Sequence, residues 1–329
     1  MKLKTDAKTL RNVVKQAAKL AKRGTMPVLE HVAIDFDGYV ARITSNDLER
    51  TYSETFPAEG EPGQAVVPAA KLAQVINAAK GDVTITPDKV SAGRSRVKLL
   101  SLPYGDFPQP DYEEGQVLKC DAMELGRAIS AVVHAMPTKD ARPMLNGVHL
   151  TNGYAVATDG HRMAVAECGY DGPDVILPPE SARLMADFSG QVRVSGRQII
   201  VDGPDFRFST GLIDARYLDW KRVMPTDFTD SFTCNSAELI EAAKVAALGD
   251  DMYKKGLIVA DGGELSITNA NAESGCDCKS TGRIEIAFNL QYLVDAIEAE
   301  GTDEVTVQVV AADKGALVGR YNVVMPVRL

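Results

Sequence analysis

At 329 residues, with 45% hydrophobic and 25% charged side chains, the chain has the length of two or three ordinary domains and the balance of a soluble globular protein. Its apolar runs are too short to cross a membrane, and Met1-Lys2-Leu3-Lys4-Thr5-Asp6 lacks the apolar core of a secretion signal, so the expected compartment is the cytoplasm. The net charge of −9 disfavours a polyanionic partner on the total alone, but residues 1–118 carry +1, 119–232 carry −3 and 233–329 carry −7, so a local basic surface is compatible with it.

Taken in order, the chain repeats itself three times. Thr5-Asp-Ala-Lys-Thr-Leu10, Cys120-Asp-Ala-Met-Glu-Leu125 and Cys234-Asn-Ser-Ala-Glu-Leu239 are alike, with their leucines 115 and 114 residues apart. Each opens an amphipathic helix: in the first, Leu10, Val13, Val14, Ala17 and Leu20 recur at helical spacing. Asp6, Asp121 and either Ser236 or Asn235 are the expected N-caps, because short polar side chains accept from the free amides of a first turn. A strand follows each helix, over Met26–Ile34, Met144–Leu150 and Gly256–Ala260, and then a hairpin. The clearest hairpin is Tyr154–Glu167, where apolar residues alternate on both sides of Asp159-Gly160, a pair suited to the positive φ angles of a tight turn. Ile43–Leu48 and Ile267–Asn271 are its weaker counterparts.

A second helix is expected after Val66-Val-Pro68, Ile176-Leu-Pro178 and Ala287-Phe-Asn289, whose last residues stand 110 and 111 apart. Proline fits a helix start because its missing N–H has no partner there. The second of these helices is expected over Ser181–Phe188 and the third over Leu290–Ala299. Each copy exits through a Pro-bearing segment: Leu102–Pro108, Tyr217–Pro225 and Val323–Leu329. A period near 110 residues is too long for a solenoid unit and is the size of a small domain. The fold class is therefore α+β, with three tandem similar domains, each of two helices and antiparallel sheets. The boundaries expected are 1–115, 116–230 and 231–329, with linkers near Asp111–Lys119 and Thr226–Phe232.

Little in the chain points to catalysis. Asp159 and His161 straddle a turn with no Ser or Cys nucleophile beside them, and no phosphate-binding glycine loop is present. Cys276-Asp-Cys278 has no second pair, and Cys120, Cys168 and Cys234 are scattered, so the five cysteines read as reduced structural thiols. No metal and no cofactor are expected, and an enzyme is the least favoured class.

Thr158-Asp-Gly-His-Arg162, Gly93-Arg-Ser-Arg96 ahead of Leu102-Pro…Asp106-Phe-Pro108, Lys221-Arg-Val-Met-Pro225 and Val323-Val-Met-Pro-Val-Arg-Leu329 span all three repeats in order. Together they resemble the bacterial replicative sliding clamp, the β subunit of the replicative DNA polymerase. The resemblance implies the DNA-clamp fold, in which three domains form half of a closed ring. Two chains associate head to tail as a homodimer around double-stranded DNA, which is threaded without regard to sequence. A clamp loader opens and closes the ring, and the polymerase and other clamp-motif proteins are tethered for processive synthesis. A diverged clamp homologue, phage- or plasmid-borne or a drug-binding decoy, is the alternative, because the third repeat is short and acidic.

Off the apolar stripe of the first helix stand Lys8, Arg11, Lys15 and Lys19, and later helices add Arg127 and Arg183, all able to attract phosphates without reading bases. By resemblance, Arg23 and Lys139 fall on DNA-touching loops. The resemblance also places a partner-peptide pocket between the second and third domains. Its second-domain wall is Leu145, Thr158, Gly160, His161, Arg162 and Met163, and its exit strand carries Arg222 and Val223. Tyr253, Asn289 and Tyr292 form the third-domain wall, and Val323, Val324, Met325, Pro326, Val327, Arg328 and Leu329 form the floor. Leu218 and Met163 stand where relatives often carry proline and leucine. At the subunit interface the resemblance sets Lys71 and Phe107, the latter as an aromatic anchor, against Ala247 and Leu248.

Overall fold

The computed structural model describes residues 1–21, 26–249 and 254–328. Among them are six α-helices: α1 (Ala7–Leu20), α2 (Ala69–Ala78), α3 (Ala122–Val132), α4 (Pro179–Met185), α5 (Ser236–Ala246) and α6 (Leu290–Glu300). The helices begin where the capping chemistry allows. The Asp6 carboxylate accepts from the Lys8 amide at 2.8 Å, and Leu10, Val13, Val14, Ala17 and Leu20 of α1 are all buried. Asn235 caps α5 by accepting from Glu238 N–H at 3.2 Å, so Ser236 is the first helical residue and its hydroxyl is buried. Asn289 caps α6, accepting from Gln291 at 2.9 Å and Tyr292 at 3.3 Å. The helix expected over Ser181–Phe188 is α4, which starts two residues earlier. Phe188 leaves it to stack on Phe208 at 4.6 Å and beside Tyr52 at 5.9 Å.

Seven strands at sheet joins, at sheet edges or leading into α5 are labelled β1 (Arg50–Pro57), β2 (Ser95–Lys98), β3 (Arg162–Glu167), β4 (Phe206–Gly211), β5 (Asp230–Asn235), β6 (Ala272–Asp277) and β7 (Asn322–Val324). The chain divides into two compact units, 1–122 with 188–212, and 123–187 with 213–329. The first unit holds two antiparallel sheets. One has five strands in the order Glu59–Glu61, Lys2–Asp6, Asp82–Thr86, Lys89–Ala92 and β2. The other has eight, in the order Gln116–Asp121, Gln191–Val194, Gln198–Asp202, β4, β1, Val40–Asn46, His31–Phe36 and Gly63–Pro68. In it β4 pairs with β1, Thr210 standing opposite Arg50, so strands from the central third of the chain continue a sheet of the first third.

The second unit repeats the arrangement. Nine strands run Val175–Leu177, Val148–Thr151, Tyr154–Thr158, β3, β7, Ala316–Val318, Glu304–Val309, β5 and Lys279–Ser280. The join is β3 to β7, with Arg162 opposite Val324 and Met163 opposite Val323. A four-stranded sheet has the order β6, Glu264–Asn269, Lys255–Asp261 and Ile284–Asn289. The third-repeat core gathers Phe232, Leu239, Ile258, Phe288, Leu293 and Val307 between the sheets and α5 and α6. No helix among the described residues is long and apolar enough to cross a membrane.

Candidate functional site

The hairpin that leads into the β3–β7 join is built by one carboxylate. Asp159 Oδ1 accepts from the amides of His161 at 2.8 Å and Arg162 at 3.0 Å, while Thr158 Oγ1 donates to Arg162 O at 2.6 Å. Gly160, at φ +89°, supplies the left-handed conformation that the turn needs. Met325 then docks the last strand onto the turn, its N–H donating to His161 O at 2.9 Å. The Asp159–His161 pair is thus a turn device.

Arg162 holds the join from the side. Its guanidinium donates to Asp159 at 3.1 Å and to Asp295 of α6 at 2.5 Å, and it lies 4.2 Å from the centroid of the Tyr292 ring. Its side chain is 13% exposed, so its donors are engaged within the protein rather than offered at a rim. Asn289 is likewise engaged as the α6 cap. Behind them His134 is titrated downward, first by burial and then by the nearby Arg162 charge.

Leu145, Met163 and Val323 pack in one apolar cluster with Val156, Ile176, Tyr217 and Trp220. All three are buried and make a continuous apolar floor, whereas Val223 and Met325 are exposed. Leu218 packs on the same cluster and also lines a cavity of about 640 Å³ with His149, Ile176, Tyr217 and Trp220. Val324 does not belong to this floor. Side chains alternate along a strand, so with Val323 on the cluster Val324 points into the third-repeat core, where it is fully buried. The backbone after it is largely engaged as well. Met325 N–H is already donated, Val327 N–H donates to Ala287 O at 2.8 Å, and Pro326 has none, so strand-like pairing there is open only through carbonyls. The exposed Arg328 has its carbonyl held by Lys255 Nζ at 3.1 Å, and the exposed Arg222 pairs with Asp219 at 3.0 Å. Tyr253 and Leu329 lie outside the described residues.

The candidate phosphate-attracting cations fall on separate elements. Lys8, Arg11 and Lys15 project from the exposed side of α1, with Lys19 half-buried, and Arg11 donates to Ala79 O at 3.1 Å. Arg127 is exposed on α3, Lys139 is exposed in the loop after Met136, and Arg183 pairs with Glu180 at 3.3 Å. In the third repeat Lys244 is matched by Glu298 at 2.8 Å. Arg23 lies outside the described residues.

Of the interface candidates, Lys71 is exposed on α2, Ala247 is half-buried and Leu248 is 80% exposed at the end of α5. Phe107 corrects its expectation as a projecting anchor: it is 2% exposed and packs on Ala33 and Val66 within the first unit.

Three sequence families match the chain in tandem. They are described as the N-terminal, central and C-terminal domains of the DNA polymerase III beta subunit, and they cover residues 1–111, 119–219 and 221–324. The chain belongs to the DNA polymerase III beta subunit family. Proteins named Beta sliding clamp from Pseudomonas aeruginosa and Vibrio cholerae are 31% and 30% identical to it, over 95% and 94% of both chains. A crystal structure of a DnaN sliding clamp from Pseudomonas aeruginosa bound to griselimycin superposes with a TM-score of 0.88 at 29% identity, covering all of both chains. Caulobacter crescentus pol III beta gives 0.89 at 26% identity, again over all of both chains. The α+β fold of three tandem clamp domains is therefore shared along the whole length. A match that spans all three domains favours the processivity clamp over a specialised offshoot.

Family membership recasts several features that the sequence alone did not expose. Asp295, which completes the Arg162 brace, lies 133 residues away from it and carries no local signal. Asp47 and Arg50 reproduce the turn in the first domain: Asp47 accepts from the Glu49 and Arg50 amides at 3.1 and 2.7 Å, Leu48 takes φ +76°, and Gly211 N–H donates to Glu49 O at 2.8 Å. The shared Asp-x-x-Arg spacing was readable in the sequence, whereas its position at a sheet join was not.

Proposed function

We propose that two copies of the chain close head to tail into a ring that encircles duplex DNA and tethers the replicative polymerase and other clamp-binding proteins. The observation that carries this reading is the repeated sheet join. Twice within the chain the return strand of a hairpin, β1 or β3, pairs antiparallel with the last strand of the next domain's sheet, β4 or β7. The equivalent strands left over are β6, at an edge of the four-stranded sheet, and β2, at an edge of the five-stranded one. Pairing β2 of one copy with β6 of another repeats the join, and two such pairings close a ring.

Charge and register support it. Arg94, Arg96 and Lys98 alternate along β2 and its approach, and Glu273 and Asp277 occupy the exposed face of β6. The two internal joins share one register: Thr210 stands opposite Arg50 and Val324 opposite Arg162, and the Gly211 and Met325 amides that follow donate to Glu49 O and His161 O. Leu102 N–H donates to Val66 O as Ile213 donates to Ile176 O and Val327 to Ala287 O, so Leu99 is the counterpart of Thr210 and Val324. Carried over to β2 and β6, that register sets Leu99 opposite Ala272 and Glu273 opposite the cationic Lys98. Beside β2, a groove of about 640 Å³ lined by Lys71, Val75, Ala78, Ala92 and Val97 is of a size to take the exposed Leu248 of the other copy.

The domain boundaries are proposed as 1–115, 116–230 and 231–329. Lys8, Arg11, Lys15, Lys19, Lys139, Arg127 and Arg183, with Arg23, would attract phosphates loosely, while the neutralised Lys244 and the acidic end of α6 add nothing. The hold on DNA is thus topological, set by a clamp loader, and the ring carries out no chemistry of its own. Partner segments with a polar lead and two or three apolar anchors would settle on Val223 and Met325 over Leu145 and Met163, binding at roughly micromolar strength, about 8 kcal/mol. The test is release from DNA. Loaded on a closed circle, the protein should survive salt of about 1 M and fall off when the circle is cut, since screening removes only the electrostatic part. Equal release rates from intact circles and linear duplex would overturn the ring.

A further inference from the structure

The five cysteines do not share one environment. Cys120 and Cys168 are buried, and burial pushes the Cys168 thiol up. In the third domain, Cys234 is the last residue but one of β5, immediately before the Asn235 cap of α5, and is buried in the core. Cys276 sits near the end of β6, half-buried and packed against the same core. β5 belongs to the nine-stranded sheet and β6 to the four-stranded one, and the two strands approach within 8 Å between Cα atoms at their closest residues. Cys276 thus packs against the cluster that contains Cys234, and the two thiols interact between the sheets.

We infer that Cys234 and Cys276 form a modification site, a dithiol that hydrogen peroxide converts reversibly into a disulfide joining the two sheets of the third domain. The pairing is asymmetric in the way such a reaction requires. Accepting the Cys234 S–H draws the Cys276 thiol below its ordinary range, and that same bond, with burial, pushes Cys234 up. Cys276 is also the more open of the two. Its thiolate attacks one peroxide oxygen, the O–O bond breaks, and the leaving hydroxide takes a proton to become water, giving a sulfenic acid. The Cys234 sulfur then attacks the Cys276 sulfur as its proton passes to the departing hydroxyl, so the S–S bond forms and a second water leaves. In sum, two thiols and one peroxide give one disulfide and two waters. Cys278 is buried, with its thiol pushed up by burial and the neighbouring Cys276, and plays no part. The inference does not rest on the ring.

The experiment oxidises the full-length protein with a small excess of hydrogen peroxide under native conditions. Intact mass should fall by about 2 Da, and digestion without reductant should yield a cross-link between the peptides of Cys234 and Cys276, reversed by phosphine. Because the cross-link closes a long loop, the melting temperature of the oxidised protein should rise by roughly 5–10 °C. Cys276→Ser should abolish both changes and Cys278→Ser neither. Peptide mapping of the wild type needs no variant and stands if Cys234→Ser folds poorly. A gain of two or three oxygens at Cys276 without the cross-link, or a bridge that uses Cys278, Cys120 or Cys168, would overturn the assignment.

Discussion

Reversing one charge on β6 tests how the proposed ring closes. Glu273 lies on the exposed face of an edge strand, so Glu273→Arg removes no packing and should leave the helical signal unchanged. An exposed opposite-charge pair across two strands contributes roughly 0.5 kcal/mol, and like charges directly opposite cost about as much. Each contact then loses about 1 kcal/mol. The ring has two contacts, so the dimer loses about 2 kcal/mol, or roughly 30-fold in dissociation constant. Sedimentation across a dilution series at low ionic strength reads this directly, and the effect should shrink at about 0.5 M salt as the charges are screened. The rescue tests the register: both internal joins place Glu273 opposite Lys98, so Lys98→Glu should restore the double variant and Arg96→Glu should not. A Glu273→Arg protein that dimerises within about twofold of the wild type, or one that Lys98→Glu does not rescue, would refute the β2–β6 pairing.

Arg162→Ala leaves Asp159 and Asp295 without their cation at a largely buried site, and should cost about 3–5 kcal/mol in denaturant unfolding; a loss below about 1 kcal/mol would show the brace to be solvent-screened. His134 and His149 are both held below the ordinary histidine value of 6.5, by burial first, so the unfolded chain takes up protons before the folded one. Their contribution is intact above about pH 6.5 and is lost as pH falls below it, at up to about 1.4 kcal/mol per pH unit for each, and Gln at both positions should flatten the melting profile between pH 7 and pH 5. Deleting Val327-Arg328-Leu329 removes the tie to Ala287 and should take clamp-peptide binding below calorimetric detection with the dimer mass unchanged. Phe107→Ala should destabilise the first unit by about 3–4 kcal/mol in thermal melts, while the folded fraction still dimerises.

What the sequence disclosed followed from periodicity and repetition. The leucine stripes, the caps at Asp6 and Asn235, the proline before α2 and the hairpin about Asp159-Gly160 are local patterns, and each has one cheap structural solution. The overlapping turn chemistry at Ser236 and Asn235 was resolved only by which side chain reaches the Glu238 amide. Phe107 was harder: an aromatic between Asp106 and Pro108 reads equally as an anchor or as core, and the long-range contacts with Ala33 and Val66 decide it. Val324 shows the same limit in a strand, since alternation says that Val323 and Val324 face opposite ways but not which of them meets the groove. The Arg162 brace and the meeting of Cys234 with Cys276 depend on residues far apart in the chain, where composition and spacing carry no signal.

The three hairpins that lead to joining strands are not equally held, and the difference follows the kind of join each one makes. In the first two domains an Asp–Arg pair locks the turn, with Arg50 10% and Arg162 13% exposed, and the strand that follows meets a sheet covalently tied to it. In the third domain the corresponding Thr268-Asn-Ala-Asn-Ala272 carries no arginine, and Ala270 takes the left-handed position at φ +44°. Asn269 instead donates to Ala246 O at 3.1 Å, fastening the turn to its own α5. At the second join Arg162 also reaches Asp295 of the next domain, a pair that suits a join that never opens, because separating it would strand a charge at a largely buried site. A turn fastened only to its own domain leaves β6 complete whether or not a partner strand is present. The repeat thus keeps its shape at the third position while omitting the one interaction that would make opening costly. In the proposed ring, that is the join that has to part for loading onto closed DNA.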